Sequence, residues 1–425
     1  MKVAKFGGSS LASAEQVQKV VDIIQADPQR RFVVVSAPGK RHADDTKVTD
    51  LLLATCEGLA ASKDVRPLLT EIYARYAAIA APFQVAPELL AEIQSALQQF
   101  LTLSPNDDPH FHDKILASGE DNNARLIAGI LQASGLAARY LNPEELGILV
   151  TDEPQNARIL PASYTKINAW AETEEILVIP GFFGYTEDGE ICTFSRGGSD
   201  ISGALVAAGV NATLYENFTD VDGIFSAHPG YVHHPEPIKE LTYREMRELS
   251  YAGFTVLHDE ALMPSYRAKI PVVIKNTNNP THPGTMITNQ RNNLTQPVVG
   301  VASDEGFCMI YIRKYLMNRE VGFTLRVLEI FKEFDLNYEH MPSGIDTMTI
   351  FVHQSEFEQH EQFVISNIHR AVQPDSIELE SDLALIAVVG RGMKSTRGTA
   401  GRIFSALAHA RINVKMIDQG SSELN

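Results

Sequence analysis

The chain is poor in cysteine: Cys56, Cys192 and Cys308 are the three in 425 residues, and they stand too far apart and in the wrong number to pair fully. No Cys-x-x-Cys spacing occurs, so a disulfide framework and a cysteine-based metal knuckle are both excluded, and a reducing, cytoplasmic setting is expected. Long apolar runs are missing as well. None approaches eighteen residues, and Met1-Lys2-Val3-Ala4-Lys5 leads into a strand and a glycine turn with no secretory hydrophobic region. Positive charge is scarce, with 36 Lys and Arg against 53 Asp and Glu for a net charge of −17. Neither nucleic acid nor an anionic membrane is therefore expected as the main partner.

The two common phosphate loops are also lacking. Gly390-Arg391-Gly392-Met393-Lys394-Ser395-Thr396 imitates one, but its glycines are misplaced and none precedes Lys394, so it reads as a structural turn. Asp220 and Asp222 open like a calcium loop without the glycine and glutamate that an EF-hand requires. His110 and His112 have no third ligand near them in sequence and read as surface histidines, so no protein metal site is expected.

What is present is a folded composition, 44% apolar and 21% charged, in a chain long enough for two or three domains. The most informative stretch is Thr193-Phe194-Ser195-Arg196-Gly197-Gly198-Ser199-Asp200, ahead of a helix with Ile201, Ala204, Leu205 and Ala208 on one face. Its glycines and open helix start suit a bound anion, and Arg196 can grip a carboxylate by two parallel hydrogen bonds. The same residues would also serve as a capped turn with a surface arginine. A second strand, glycine turn and helix run from Val3 through Gly7-Gly8-Ser9-Ser10 to Val17, Val20, Val21 and Ile24. Successive N–H groups there can form an anion nest, within reach of Lys5. Glu120 is open to two readings, a favourable first-turn acid or a partner for a substrate ammonium group.

Strands at Phe32–Ser36, with its uniformly apolar Val33-Val34-Val35, and at Ile148–Val150, Ile176–Ile179, Ala212–Glu216 and Pro271–Lys275 alternate with helices, including a largely helical stretch from Lys47 to Leu103. That order specifies an α/β, three-layer αβα domain with a mostly parallel sheet. Beyond the polar run Asn289–Gln296 the pattern becomes βαββαβ: strands at Phe307–Ile312, Leu336–Met341, Thr347–Val352 and Ser376–Glu380, with two helices between them. A second copy starts at Leu383–Val389, continues through a helix bearing Ile403, Leu407 and Ala410 to a strand at Asn413–Ile417, and looks cut short. The expected domains are 1–293, 299–381 and 382–425.

Lys5-Phe6-Gly7-Gly8-Ser9-Ser10, Ser195-Arg196-Gly197-Gly198-Ser199-Asp200 and Phe218-Thr219-Asp220-Val221-Asp222-Gly223-Ile224-Phe225, ahead of two βαββαβ units, strongly resemble the aspartate kinases. The resemblance covers nearly the whole chain. It implies an amino-acid-kinase fold with paired ferredoxin-like ACT units, and transfer of the ATP γ-phosphoryl group to the side-chain carboxylate of L-aspartate, with magnesium arriving on ATP. By the same resemblance Lys5, Phe6, Gly7, Gly8, Thr219, Asp220, Phe225, Gly230 and Thr255 would face the nucleotide. Ser36, Thr49, Glu120, Arg196, Gly197, Gly198 and Ser199 would hold aspartate, and Asp200 would orient Lys5 or the acceptor.

Feedback by lysine, with threonine as a second candidate, would act at Met317, Gly322, Phe323, Tyr338 and Glu339, through an ACT-mediated homodimer. Phe225, Gly230 and Thr255 depart from the tyrosine, arginine and lysine of many family members, removing up to two positive charges that Lys275 would have to replace. The alternatives are a kinase for another small amino acid, or an amino-acid sensor that no longer turns over.

Overall fold

The computed structural model describes residues 1–105, 107–195, 197–254, 257, 259–291, 297–393 and 396–418. Its internal contacts divide into two units, Met1–Tyr251 with Thr255–Leu294, and Ala252–Phe254 with Thr295–Asn425.

The first unit holds strands β1 (Lys2–Phe6), β2 (Arg30–Val35), β3 (Ala138–Tyr140), β4 (Ile176–Pro180), β5 (Phe183–Tyr185), β6 (Ile191–Thr193), β7 (Leu214–Thr219), β8 (Glu240–Thr242), β9 (Val272–Asn276) and β10 (Thr285–Thr288). Eight form one sheet in the order β3-β4-β2-β1-β7-β9-β10-β8, parallel except between β9 and β10, while β5 and β6 make a separate hairpin. Val3, Ala4, Phe6 and Phe32–Val35 are wholly buried, as apolar runs covered on both faces must be. The helices Ala14–Gln25, Val48–Ala60, Arg66–Ala80, Pro87–Gln99 and Phe111–Ala133 join β1 and β2 in a single apolar core. The stretch from Lys47 to Leu103 is therefore cover for that core.

Several local expectations give way. Ile148–Val150 is no strand; it makes isolated bridges from Leu149 to Tyr185 and from Val150 to Ile159. β8 and β10, three and four residues long, carry too little pattern to be read in advance. Glu120 lies in the middle of the helix Phe111–Ala133, not in its first turn. Gly119 is where the helix presses on its neighbours: an added Cβ would sit 3.0 Å from both Ala37 Cβ and Leu52 Cδ1.

In the second unit β11 (Gly300–Arg313), β12 (Thr347–His353) and β13 (Ser376–Val389) form an antiparallel sheet in the order β12-β11-β13. The helices Phe323–Glu333 and Glu361–Val372 close its core through Val327, Phe331, Val364 and Ile368. The two strands expected at 376–380 and 383–389 are one continuous strand, whose first part pairs with Met309–Arg313 and whose last part pairs with Gly300–Glu305. Leu336–Met341 supplies only an irregular edge, with a bridge from His340 to Phe351. The helix Thr399–His409 follows as expected, but Asn413–Ile417 has no ladder to join and forms no strand.

Candidate active site at the carboxyl ends of β1 and β7

In the parallel register Lys5 stands beside Val34 of β2 and Asn217 of β7, so the turns that follow these three strands open on the same edge of the sheet. Ligands of open α/β sheets bind there, where the chain order reverses. A cavity of about 820 Å³ lies at this edge. Its wall takes in Lys5, Gly8, Ser36, Thr49, Glu120, Gly197, Gly198, Ser199, Asp200 and Asp220, ten of the residues singled out from sequence.

Two glycine corners shape it. Gly39 N donates to Gly8 O at 2.8 Å, and a Cβ on Gly39 would sit 2.6 Å from Gly8 C, so only glycine lets these backbones meet. At the opposite corner Gly197, at φ +74°, leads into the helix Gly198–Gly209, and a Cβ on Gly198 would lie 2.6 Å from Phe182 Cδ2. The loop after Gly39 is clamped from behind. Arg75 donates to Gly39 O at 2.5 Å and pairs with Asp45 at 2.8 Å, both side chains being buried. Hydrogen bonds from Arg41, then the charge of Arg75, hold the Asp45 carboxyl well below the usual carboxylate range.

The charged groups are few and specific. Lys5 Nζ lies 2.6 Å from Asp200 Oδ1, which also accepts from Asn217 Nδ2 at 2.8 Å. Glu120 is 5% exposed, and its Oε2 is buried without a hydrogen-bond partner. Burial pushes its carboxyl up to about 8, against the opposing influence of a backbone N–H from Ala37 and the charge of Lys5. A buried carboxylate with an open lone pair is a socket for a small cation. Below it Asp113 accepts from Thr193 N at 2.6 Å, Thr193 Oγ1 at 2.8 Å and Gln155 N at 2.9 Å, tying two wall residues to one helix.

Other residues from the sequence reading lie elsewhere. Phe6 is wholly buried, its ring stacked on Phe218. Gly7 N donates to Phe218 O, and Thr219 Oγ1 donates to Asp220 Oδ1 at 3.2 Å, so both flank the cavity without joining its wall. Phe225 bridges to Pro237 and Gly230 N donates to His228 Nδ1; neither lines the cavity. Lys275 packs over the Phe218 ring, 6.0 Å from its centroid. Arg196 and Thr255 fall outside the described residues. The wall also includes Lys40 and Lys47, which sequence reasoning passed over; their signal was a second glycine, Gly39, four residues past the end of β2 and followed by basic residues.

In the second unit Met317 and Phe323 belong to the apolar core, Gly322 starts the helix Phe323–Glu333 at φ +78°, Tyr338 is exposed, and Glu339 lies 3.8 Å from His353. His110 is not a surface residue: it is 5% exposed, and Cys192 and Asp152, distant in sequence, meet its two ring nitrogens.

The model of the amino acid kinase family matches residues 1–276, and that of an ACT domain matches residues 386–425. Aspartokinase 3 of Bacillus subtilis is 51% identical over 426 residues, spanning 100% of this chain and 94% of that protein. The crystal structure of Clostridium acetobutylicum aspartate kinase superposes with a TM-score of 0.86 at 37% identity, covering 100% of this chain and 95% of that one. Escherichia coli aspartokinase III, solved with aspartate and ADP and also with lysine and aspartate, shares the fold at TM-scores of 0.81 and 0.79 and 24% identity, covering 100% of this chain and 94% of that one. With the cavity, the sheet and these likenesses in agreement, the chain belongs to the aspartokinases of the amino acid kinase family.

Proposed function

We propose that the cavity transfers the γ-phosphoryl group of ATP to the side-chain carboxylate of L-aspartate, giving 4-phospho-L-aspartate and ADP, in amino-acid biosynthesis leading to lysine, threonine and methionine. The observation that carries this reading is the pairing, in one cavity, of the Lys5–Asp200 couple with the buried carboxyl of Glu120, whose Oε2 has no partner. Glu120 receives the substrate ammonium, Arg196 and Ser199 receive its carboxylates, and Ser36 and Thr49 complete that pocket.

A carboxylate is already a nucleophile at neutral pH, so its oxygen attacks the γ-phosphorus directly while the bond to the β-phosphate oxygen breaks. No base is needed; alignment and charge neutralisation are. Lys5 neutralises charge on the phosphoryl group in flight, and Asp200, itself held by Asn217, aims Lys5. Gly8 presents its N–H group to the phosphates, Gly7 anchors that turn through its bond to Phe218 O, and Thr219, Asp220, Phe225, Gly230 and Thr255 border the nucleotide. Lys40 and Lys47 supply the cations that the departures at Gly230 and Thr255 remove. The hard oxygens of Asp200 and Asp220 fit magnesium carried in on ATP, which would add neutralisation of the phosphate oxygens.

The domain reading is proposed with it: a catalytic domain over 1–293 and ACT-like units over 299–381 and 382–425, the second borrowing Gly300–Glu305 as a pairing strand. Lysine, or lysine with threonine, inhibits from a pocket near Met317, Gly322, Phe323, Tyr338 and Glu339, in a homodimer joined through those units. The setting is cytoplasmic; among the described residues no helix is long and apolar enough to cross a membrane. The test is ADP release with Mg-ATP and aspartate, glutamate or carbamate, repeated with lysine and threonine. Turnover with aspartate alone supports the reading, and turnover with either other acceptor at equal efficiency rejects it.

A further inference from the structure

Behind the acceptor wall, three residues with metal-ligating side chains converge from separate elements. His110 immediately precedes the helix Phe111–Ala133, Asp152 follows the Leu149 and Val150 bridges, and Cys192 lies in β6. One ligand atom from each lies within 4.8 Å of the other two. Cys192 Sγ is 3.4 Å from His110 Nδ1, and Asp152 Oδ1 is 3.2 Å from His110 Nε2. Cys192 is wholly buried and His110 nearly so, while the Asp152 side chain is 67% exposed and leaves the cluster open to solvent on one side.

The surroundings favour a cation. Asp113, one helical turn beyond His110, is fully buried and its Oδ2 has no hydrogen-bond partner. Lys114, the nearest cation in sequence, is held away by Asp108 at 2.7 Å and Glu190 at 2.8 Å.

We propose that Cys192, His110 and Asp152 form a binding site for a soft divalent transition metal of the zinc type. Sulfur, imidazole nitrogen and carboxylate oxygen are zinc's own ligand types, and three protein ligands with water in the fourth position complete a tetrahedron. Magnesium, which prefers six hard oxygens, is rejected, so the site does not compete for the metal on ATP. Binding replaces the thiol proton with the metal and releases that proton to solvent. The site is wired to the acceptor wall: Cys192 adjoins Thr193, Asp152 lies three residues before Gln155, and His110 three before Asp113, whose Oδ1 holds both of those wall residues. Metal occupancy therefore stiffens the aspartate side of the cavity.

The full chain, stripped with a chelator and desalted, is titrated with Co2+ and then with Zn2+. We expect one equivalent of Co2+ to bind with a thiolate-to-cobalt charge-transfer band in the near ultraviolet, and Zn2+ to abolish the band. Cys192→Ser removes the band, whereas Cys56→Ser and Cys308→Ser keep it. Asp152→Asn, on the exposed side where folding is not at stake, weakens binding about tenfold to a hundredfold. No band in the wild-type chain, a band that survives Cys192→Ser, or unchanged affinity in Asp152→Asn overturns the proposal and leaves a hydrogen-bonded Cys–His–Asp chain. None of these readouts depends on turnover, so their failure leaves the kinase reading standing.

Discussion

Lys5 Nζ sits 2.6 Å from Asp200 Oδ1, the first from the end of β1 and the second from the first turn of the helix Gly198–Gly209. Both side chains are largely buried at the cavity edge, so the ammonium is aimed before any substrate arrives. Replacing Lys5 by Met should lower kcat about a hundredfold to a thousandfold, the usual loss for one donor that acts on transition-state charge. The aspartate KM should change much less. Steady-state kinetics in both substrates check the split.

Glu120 gives a pH dependence with a definite sign. Its folded pKa of about 8 stands above the ordinary 4.5, so the folded chain holds an extra proton between those values. That contribution to stability is present below about 4.5 and is lost as pH rises to 8. Glu120→Gln should therefore flatten the stability profile across this window in urea titrations. Acidification below 8 also protonates the ammonium socket of the free enzyme. The aspartate KM should climb about tenfold per pH unit in that direction, and the Gln variant should lose the slope.

Arg75 holds Gly39 and Asp45 from a buried position, and removing it takes the donor from Gly39 O and leaves Asp45 to Arg41 alone. Arg75→Met should cost about 1 to 3 kcal/mol of stability, the range for leaving a buried acceptor unsatisfied. Because Asp45 is depressed in the folded state, the pair's contribution is present above pH 4 and fades as pH falls below it. Urea unfolding at pH 7 and at pH 3 should show the deficit shrinking at the lower value.

Gly39→Ala pushes a methyl carbon to within 2.6 Å of Gly8 C, backbone against backbone. The corner can relieve this only by moving Gly8 from its place in the cavity wall. The expected result is a loss of about 1 to 3 kcal/mol in stability and a raised ATP KM, with aspartate binding less affected.

Much of this site was legible in the sequence because its parts are local motifs. Lys5 through Gly8 and Gly197 through Asp200 each carry their own turn, and the apolar runs of β1 and β2 fix where those turns must lie. What escaped depends on contacts between distant segments. Glu120 reads as a first-turn acid because the helical pattern is plainest from Leu126 onward, and only the packing of Gly119 on Ala37 and Leu52 shows why a glycine sits within that helix. Asn217 lies beyond the strand read at Ala212–Glu216, and only its bond to Asp200 shows its part in the site. His110 lacked partners because Asp152 and Cys192 arrive from 42 and 82 residues away. The strands β8 and β10 are too short to show a period.

The most direct test of convergence at one cavity is to trap the product: the chain is incubated with Mg-ATP, aspartate and hydroxylamine, and aspartyl hydroxamate is quantified against ADP. The account predicts equal amounts of the two, with both lost together in Lys5→Met and the aspartate requirement shifted upward in Glu120→Gln. ADP released without hydroxamate, or hydroxamate formed as well by Lys5→Met as by the wild-type chain, would contradict it.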